Sequence, residues 1–212
     1  CGSAVGGHQL GVGGLAWTYA DLYLPLYGAH QGHNAALAIA AVEALIGAGT
    51  QPISPDVLAD GLAQVTSPGR LQLIGVAPTV LVDSAHNPHG ARALVAALAD
   101  SFDFDEWGVV FGAFADKDTA GIVTTLAPAA THVFVTAPDS ERAADPDALA
   151  DQVELAGIPV TVHRDLADAA EAAREWASSS ERRAVVIAGS VVLAGEALQL
   201  AADEDWKSGW SA

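Results

Sequence analysis

The chain has 212 residues, is 51% hydrophobic, and carries a formal charge of −17 from 26 acidic and 9 basic side chains. That apolar content is ample for one large domain, or for one domain with part of another. Binding to a phosphate backbone or an anionic membrane surface needs clustered Lys and Arg, so neither nucleic acid nor membrane is an expected partner.

A single cysteine, Cys1, excludes an internal disulfide and fits a reducing compartment. The N-terminus lacks the basic and apolar regions of a signal peptide, and no apolar run approaches the roughly 20 residues of a spanning helix. The reading is therefore cytoplasmic. The chain has no methionine, and its glycine-rich opening reads more like the middle of a strand hairpin than a protein start. A piece of a longer protein is expected.

From residue 8 to 26 apolar residues partly alternate (Leu10, Val12, Leu15, Trp17, Tyr19, then Leu22, Leu24, Leu26), with Gly13-Gly14 as a break, which predicts a two-stranded hairpin. Residues 30–45 are apolar nearly all round and predict a well-buried helix stopped by Gly47 and Gly49. Ser54-Pro55-Asp56 offers an N-cap, a proline at the first helical position and an acid in the first turn, so a helix to about residue 65 follows. Ser67-Pro68-Gly69 is a turn and the expected domain junction, dividing the chain into 1–69 and 70–212. No Lys or Arg precedes Arg70.

Beyond the junction, apolar strands at 79–82, 109–111, 132–135, 160–162 and 184–187 alternate with helices beginning near Pro88, Asp118, Pro146, Leu166 and Val191. Residues 70–76 add an edge strand. This alternation predicts an α/β fold with a mostly parallel sheet, helices on both faces and right-handed crossovers. The tail from Asp203, with Trp206 and Trp210, is either docked or frayed.

Six residues could carry chemistry. Asn34, a polar side chain at the head of an apolar run, suits an adenine edge, or it is a cap or a satisfied amide. Arg70 could clasp phosphate from its turn, or form an interdomain salt bridge. Asp83 ends a buried strand at the sheet edge where open α/β folds bind ligands, and could take ribose hydroxyls or cap the next helix. His86 follows it beside a helix start, and is either near a reacting group or a satisfied turn histidine. Lys117, set between Asp116 and Asp118, could orient a carboxylate or make a surface ion pair. Ser190 could touch ligand, with helix capping as the default. No P-loop Gly-Lys-Ser or Gly-Lys-Thr, no dinucleotide glycine motif and no zinc spacing occurs.

As an ordered set, His30-Gln31-x-x-Asn34-Ala35-Ala36, Ser67-Pro68-Gly69-Arg70, Asp83-Ser84-Ala85-His86-Asn87-Pro88, Asp116-Lys117-Asp118 and Gly189-Ser190 resemble the C-terminal part of folylpolyglutamate and dihydrofolate synthases, of the Mur ligase superfamily. The resemblance implies residues 1–69 as the end of a central ATP-binding domain and 70–212 as a Rossmann-like C-terminal domain. It implies an ATP-dependent ligase that joins glutamate to folate or dihydropteroate through an acyl phosphate. Magnesium and its ligands, with the P-loop, would belong to a missing N-terminal portion, and the fragment alone should be inactive. By resemblance Asn34 contacts adenine, Arg70 phosphate and Asp83 ribose. His86 and Ser190 lie near the incoming glutamate or the reaction centre, and Lys117 keeps the substrate-carboxylate role read from its own position. Ser84 departs from the family's usual Gly or Ala. Rival readings are another Mur-type ligase, for a cell-wall precursor or cyanophycin, and a non-catalytic Rossmann-like binding module.

Overall fold

The structure, a computed structural model, describes residues 2–207. Trp210 lies outside the described residues. The chain divides into two compact units, Cys1–Pro68 and Gly69–Ala212.

In the smaller unit, β1 (Gly2–Ala4), β2 (Gly7–Gly13) and β3 (Thr18–Leu24) form an antiparallel sheet, followed by α1 (Ala29–Gly47) and α2 (Pro55–Ala63). Alternation along β2 turns Leu10 and Val12 inward, where they meet Tyr19, Leu22, Leu24, Ile39 and Leu58. Leu15 and Trp17, which continue the apolar pattern in sequence, sit in the β2–β3 connection and are each 60% exposed. Ser54 precedes α2 but makes no side-chain capping bond, so Pro55 and Asp56 carry that helix start.

The expectation of an all-round buried α1 is corrected here. Only one stripe, Gln31, Ala35, Ile39 and Glu43, is buried, while Leu37 is 71% and Leu45 86% exposed. A helix laid on one small sheet buries the side chains at i, i+4, i+8 that face it, however apolar the rest may be.

The larger unit holds a six-stranded sheet in the order β4 (Gln72–Val76), β5 (Thr79–Val82), β9 (Arg183–Ala188), β6 (Glu106–Phe111), β7 (Ala130–Val135), β8 (Val160–Val162). All neighbours are parallel except the edge strand β4, antiparallel to β5. The helices are α3 (Pro88–Ser101), α4 (Thr119–Leu126), α5 (Pro146–Leu155), α6 (Leu166–Ser178) and α7 (Val191–Asp203). Val80, Val82, Val110, Phe134, Val185 and Ile187 pack under α6 and α7 in one core. Their alternates Leu81, Val109, Phe111, Val133, Val135 and Val186 are equally buried and face the α3, α4 and α5 side.

The crossover from β5 to β6 passes over β9, so β9 enters last, between them. The described part of the tail docks: Trp206 is buried, its indole lies 4.5 Å beneath the Arg174 guanidinium, and its Nε1 donates to Glu204 at 2.8 Å.

Candidate functional site

Parallel strands deliver their following loops to one edge, and four such loops are stitched together here. The Gly189 amide donates to the Ala85 carbonyl at 2.9 Å, Gly112 N to Ala188 O at 3.3 Å, and Thr136 N to Phe111 O at 2.9 Å. Gly189 has φ 122°, and a Cβ on it would lie 2.5 Å from the Gly112 carbonyl oxygen, so glycine is required for this close approach. The stitching gathers Asp83, His86, Lys117 and Ser190 along the carboxyl edge of the sheet, with Arg70 beside them at the entry to β4.

Asp83 is half-buried rather than sealed in the core. Its Oδ2 accepts from Leu71 N and its Oδ1 from Ala85 N, both at 2.8 Å. The helix cap considered for it belongs instead to Asn87, whose Oδ1 accepts from Gly90 N at 2.8 Å. Ser84, buried, donates from both its amide (2.7 Å) and its hydroxyl (2.8 Å) to the Gly69 carbonyl. Residues 69 and 71 both have left-handed backbones, φ 69° and 43°. Asp83 and Ser84 thus pin the turn on either side of Arg70, whose side chain is exposed and, among the described residues, has no ion pair.

His86 is half-buried, with Nδ1 3.0 Å from the Ser84 carbonyl oxygen. A carbonyl only accepts, so Nδ1 carries the proton, and in the neutral ring Nε2 presents its lone pair.

Lys117 Nζ lies 3.2 Å from Asp116 Oδ2. The expectation that it sits between two acids is corrected: Asp118 caps α4, its Oδ1 accepting from Gly121 N at 2.9 Å, and the second partner of Asp116 is Arg142 at 2.8 Å. Those two cations, Arg142 first, hold the Asp116 carboxyl below its ordinary value. Sequence reading missed Arg142 because it lies 26 residues from Asp116. The signal that could have found it is its place beyond the carboxyl end of a predicted strand in a cation-poor chain.

Ser190 is 1% exposed, and its Oγ accepts from Leu193 N at 3.0 Å. Of the two roles considered for it, the structure displays the cap, which leaves the start of α7 aimed at this edge.

Asn34 belongs to the smaller unit. It is exposed, neither a helix cap nor a buried amide, and its Nδ2 donates to Gln31 Oε1 at 3.0 Å. Glu43, also missed, is fully buried. It accepts from the Leu15 amide, from Ala16 N at 3.2 Å and from Tyr19 OH at 2.6 Å. The hydrogen bond from Tyr19, followed by those from the backbone, holds its carboxyl below the ordinary value despite burial.

A separate cavity of about 580 Å3 opens beyond the ends of β7 and β8, lined by Pro138, Asp139, Arg164 and Glu196 among others. None of the sequence-predicted residues lines it. Among the described residues no three His, Cys, Asp or Glu side chains gather as metal ligands. No helix among them is long and apolar enough to cross a membrane.

Comparison with known proteins adds an independent line. Residues 69–191 match the family model described as Mur ligase, glutamate ligase domain. The chain is 45% identical over 211 residues to the dihydrofolate synthase/folylpolyglutamate synthase of Mycobacterium tuberculosis, covering 93% of this chain and 43% of that protein. The fold superposes with a TM-score of 0.90 on M. tuberculosis folylpolyglutamate synthase complexed with ADP, at 42% identity, over 94% of this chain and 46% of the other. A UDP-N-acetylmuramoyl-L-alanyl-D-glutamate--2,6-diaminopimelate ligase of Corynebacterium efficiens is 35% identical over 180 residues, or 78% of this chain and 32% of that protein. The chain thus spans less than half the length of these relatives.

Proposed function

Because the chain belongs to the Mur ligase family through its glutamate ligase domain, we propose that it is the C-terminal part of an ATP-dependent ligase that adds L-glutamate to folate or dihydropteroate. The observation that carries this reading is the 45% identity, over nearly the whole chain, to a dihydrofolate synthase/folylpolyglutamate synthase. In such a ligase ATP phosphorylates the acceptor carboxylate, the glutamate amine attacks the acyl carbon, phosphate leaves, and an amide forms.

This chain's residues would serve the capture and alignment of the reactants. Arg70, exposed on its pinned turn, binds phosphate oxygens. Asp83, held at the sheet edge by the bonds it accepts from Leu71 and Ala85, takes ribose hydroxyls. Asn34, on the smaller unit, takes an adenine edge. His86 presents Nε2 to the incoming amine, which must lose a proton before it attacks. Lys117 receives a glutamate carboxylate, while Ser190 acts from behind by capping α7.

The smaller unit is read as the end of a central ATP-binding domain. The apolar side chains that α1 leaves uncovered, Leu37, Leu45 and Ile46, support that reading, since such a face is normally packed. The P-loop and the magnesium ligands are assigned to the remainder of that domain. A cytoplasmic location fits a folate substrate.

The test is to assay the longer protein that carries this chain with ATP, glutamate and either a reduced folate or a UDP-muramoyl peptide. Release of ADP and phosphate that depends on folate, with a product heavier by one glutamyl unit, is the expected result. Activity confined to the muramoyl substrate would transfer the protein to the cell-wall branch. The 212-residue chain alone should turn nothing over, and measurable ligation by it would defeat the assignment of the P-loop elsewhere.

A further inference from the structure

Arg142 lies between β7 and α5, where its amide donates to Ser140 Oγ at 3.2 Å and further contacts fix it. Its carbonyl accepts from Ala115 N at 2.9 Å, its guanidinium lies 4.6 Å from the Phe114 ring centroid, and its Nη2 donates to Asp116 Oδ1 at 2.8 Å. Phe114 and Ala143 form an antiparallel bridge, and Ala144 N donates to Ala113 O at 2.9 Å. The loops after β6 and β7 are therefore zipped together, with Arg142 at the open end. On the other oxygen of the same carboxylate sits Lys117.

We propose that Arg142 is a positioning residue for glutamate capture: by neutralising Asp116 it leaves the Lys117 ammonium free to receive the carboxylate of the incoming amino acid. The inference rests on the role given above to Lys117. An ammonium has three donors, and Lys117 spends one on Asp116. Two cations, Lys117 and Arg142, share the single Asp116 carboxylate, so the three side chains together carry one net positive charge. Without Arg142 the remaining Lys117–Asp116 pair is neutral, Asp116 claims Lys117 alone, and an approaching carboxylate loses the attraction of the extra positive charge. A purely structural purpose fits poorly, because all three side chains are partly open to water (Arg142 62%, Asp116 50%, Lys117 32%) and exposed ion pairs contribute little to folding.

In the longer protein that carries this chain, Arg142→Gln should raise KM for glutamate about tenfold, a typical cost for one lost charge contact. The kcat, the KM for ATP and the melting temperature should stay near their original values. Arg142→Lys should recover part of the loss, since it keeps the charge without the planar fork. Adding Asp116→Asn to Arg142→Gln should bring KM back, because the charge that Arg142 offsets is then gone. An unchanged KM for glutamate in Arg142→Gln, or a fall in every constant together with the melting temperature, overturns the proposal. Lys117→Gln separates the layers: if that variant ligates with an ordinary KM for glutamate, the inference falls and the ligase reading stands. If the unmodified protein forms no glutamyl product, both fall.

Discussion

The two edges of the larger unit's sheet spend their cations differently. At the amino edge, just before β6 and β9, Arg182 is bound to Asp105 at 2.9 Å and to Asp103 at 3.2 Å. Beside it, Arg183 pairs with Glu106 and lies 4.5 Å over the Trp176 ring. At the carboxyl edge, Arg70 and Arg164 have no ion pair among the described residues, and Lys117 and Arg142 share one carboxylate. A chain with only 9 basic residues against 26 acidic ones could neutralise every cation. That difference is what the proposed reading expects of an edge kept for an anionic ligand.

Substitutions at the two edges should therefore fail in different ways. The largest effect is expected for His86→Ala, which removes the Nε2 lone pair: kcat should fall by about 10²-fold or more in the longer ligase, the ordinary scale for a proton-transfer group. Melting should be little altered, and a kcat within a few-fold of the original would remove His86 from the reaction. Arg70→Gln comes next, with an expected loss of roughly a hundredfold in kcat/KM for ATP. Its side chain is exposed and has no ion pair among the described residues, so a matching loss of stability would mean that it belongs with the amino edge instead.

The smallest effect is that of Arg182→Ala, which should leave turnover unchanged and lower the melting temperature by roughly a few degrees at most. It carries a pH signature. Arg182 holds the Asp103 and Asp105 carboxyls below their ordinary value of 3.8, mainly by hydrogen bonding. Groups depressed in the folded state bind more protons when unfolded, so their stabilisation is present above about pH 3.8 and is lost as pH falls below it. Thermal melts of wild type and Arg182→Ala should thus differ near neutrality and converge in acid. A gap that widens in acid would contradict the assignment.

Much of this contrast was legible in the sequence, and the remainder was hidden for physical reasons. Strand 79–82 ending in Asp83, and the helices starting at Pro88, Pro146, Leu166 and Val191, follow from local chemistry: apolar runs, prolines and capping residues. The place of β9 between β5 and β6 is a long-range pairing that no local pattern encodes. For α1, sequence reports apolarity but not the size of the surface it lies on, so the breadth of its buried stripe was overestimated. Asp83 could be placed at a strand end, yet its bond to Leu71 depends on a left-handed turn that hydrophobic periodicity does not register. Arg142 and Glu43 act on partners 26 and 24 to 28 residues away, beyond the reach of any spacing motif.

The tip of the β2–β3 hairpin has one more use. Trp17, standing there 60% open to water, is the single indole of Cys1–Pro68. Trp107 and Trp206, by contrast, are shielded inside the other unit. Quencher-accessible, red-shifted emission should therefore arise chiefly from Trp17 among these three, which makes it a built-in optical gauge: whatever polypeptide comes to cover the hairpin tip will shift that emission to the blue.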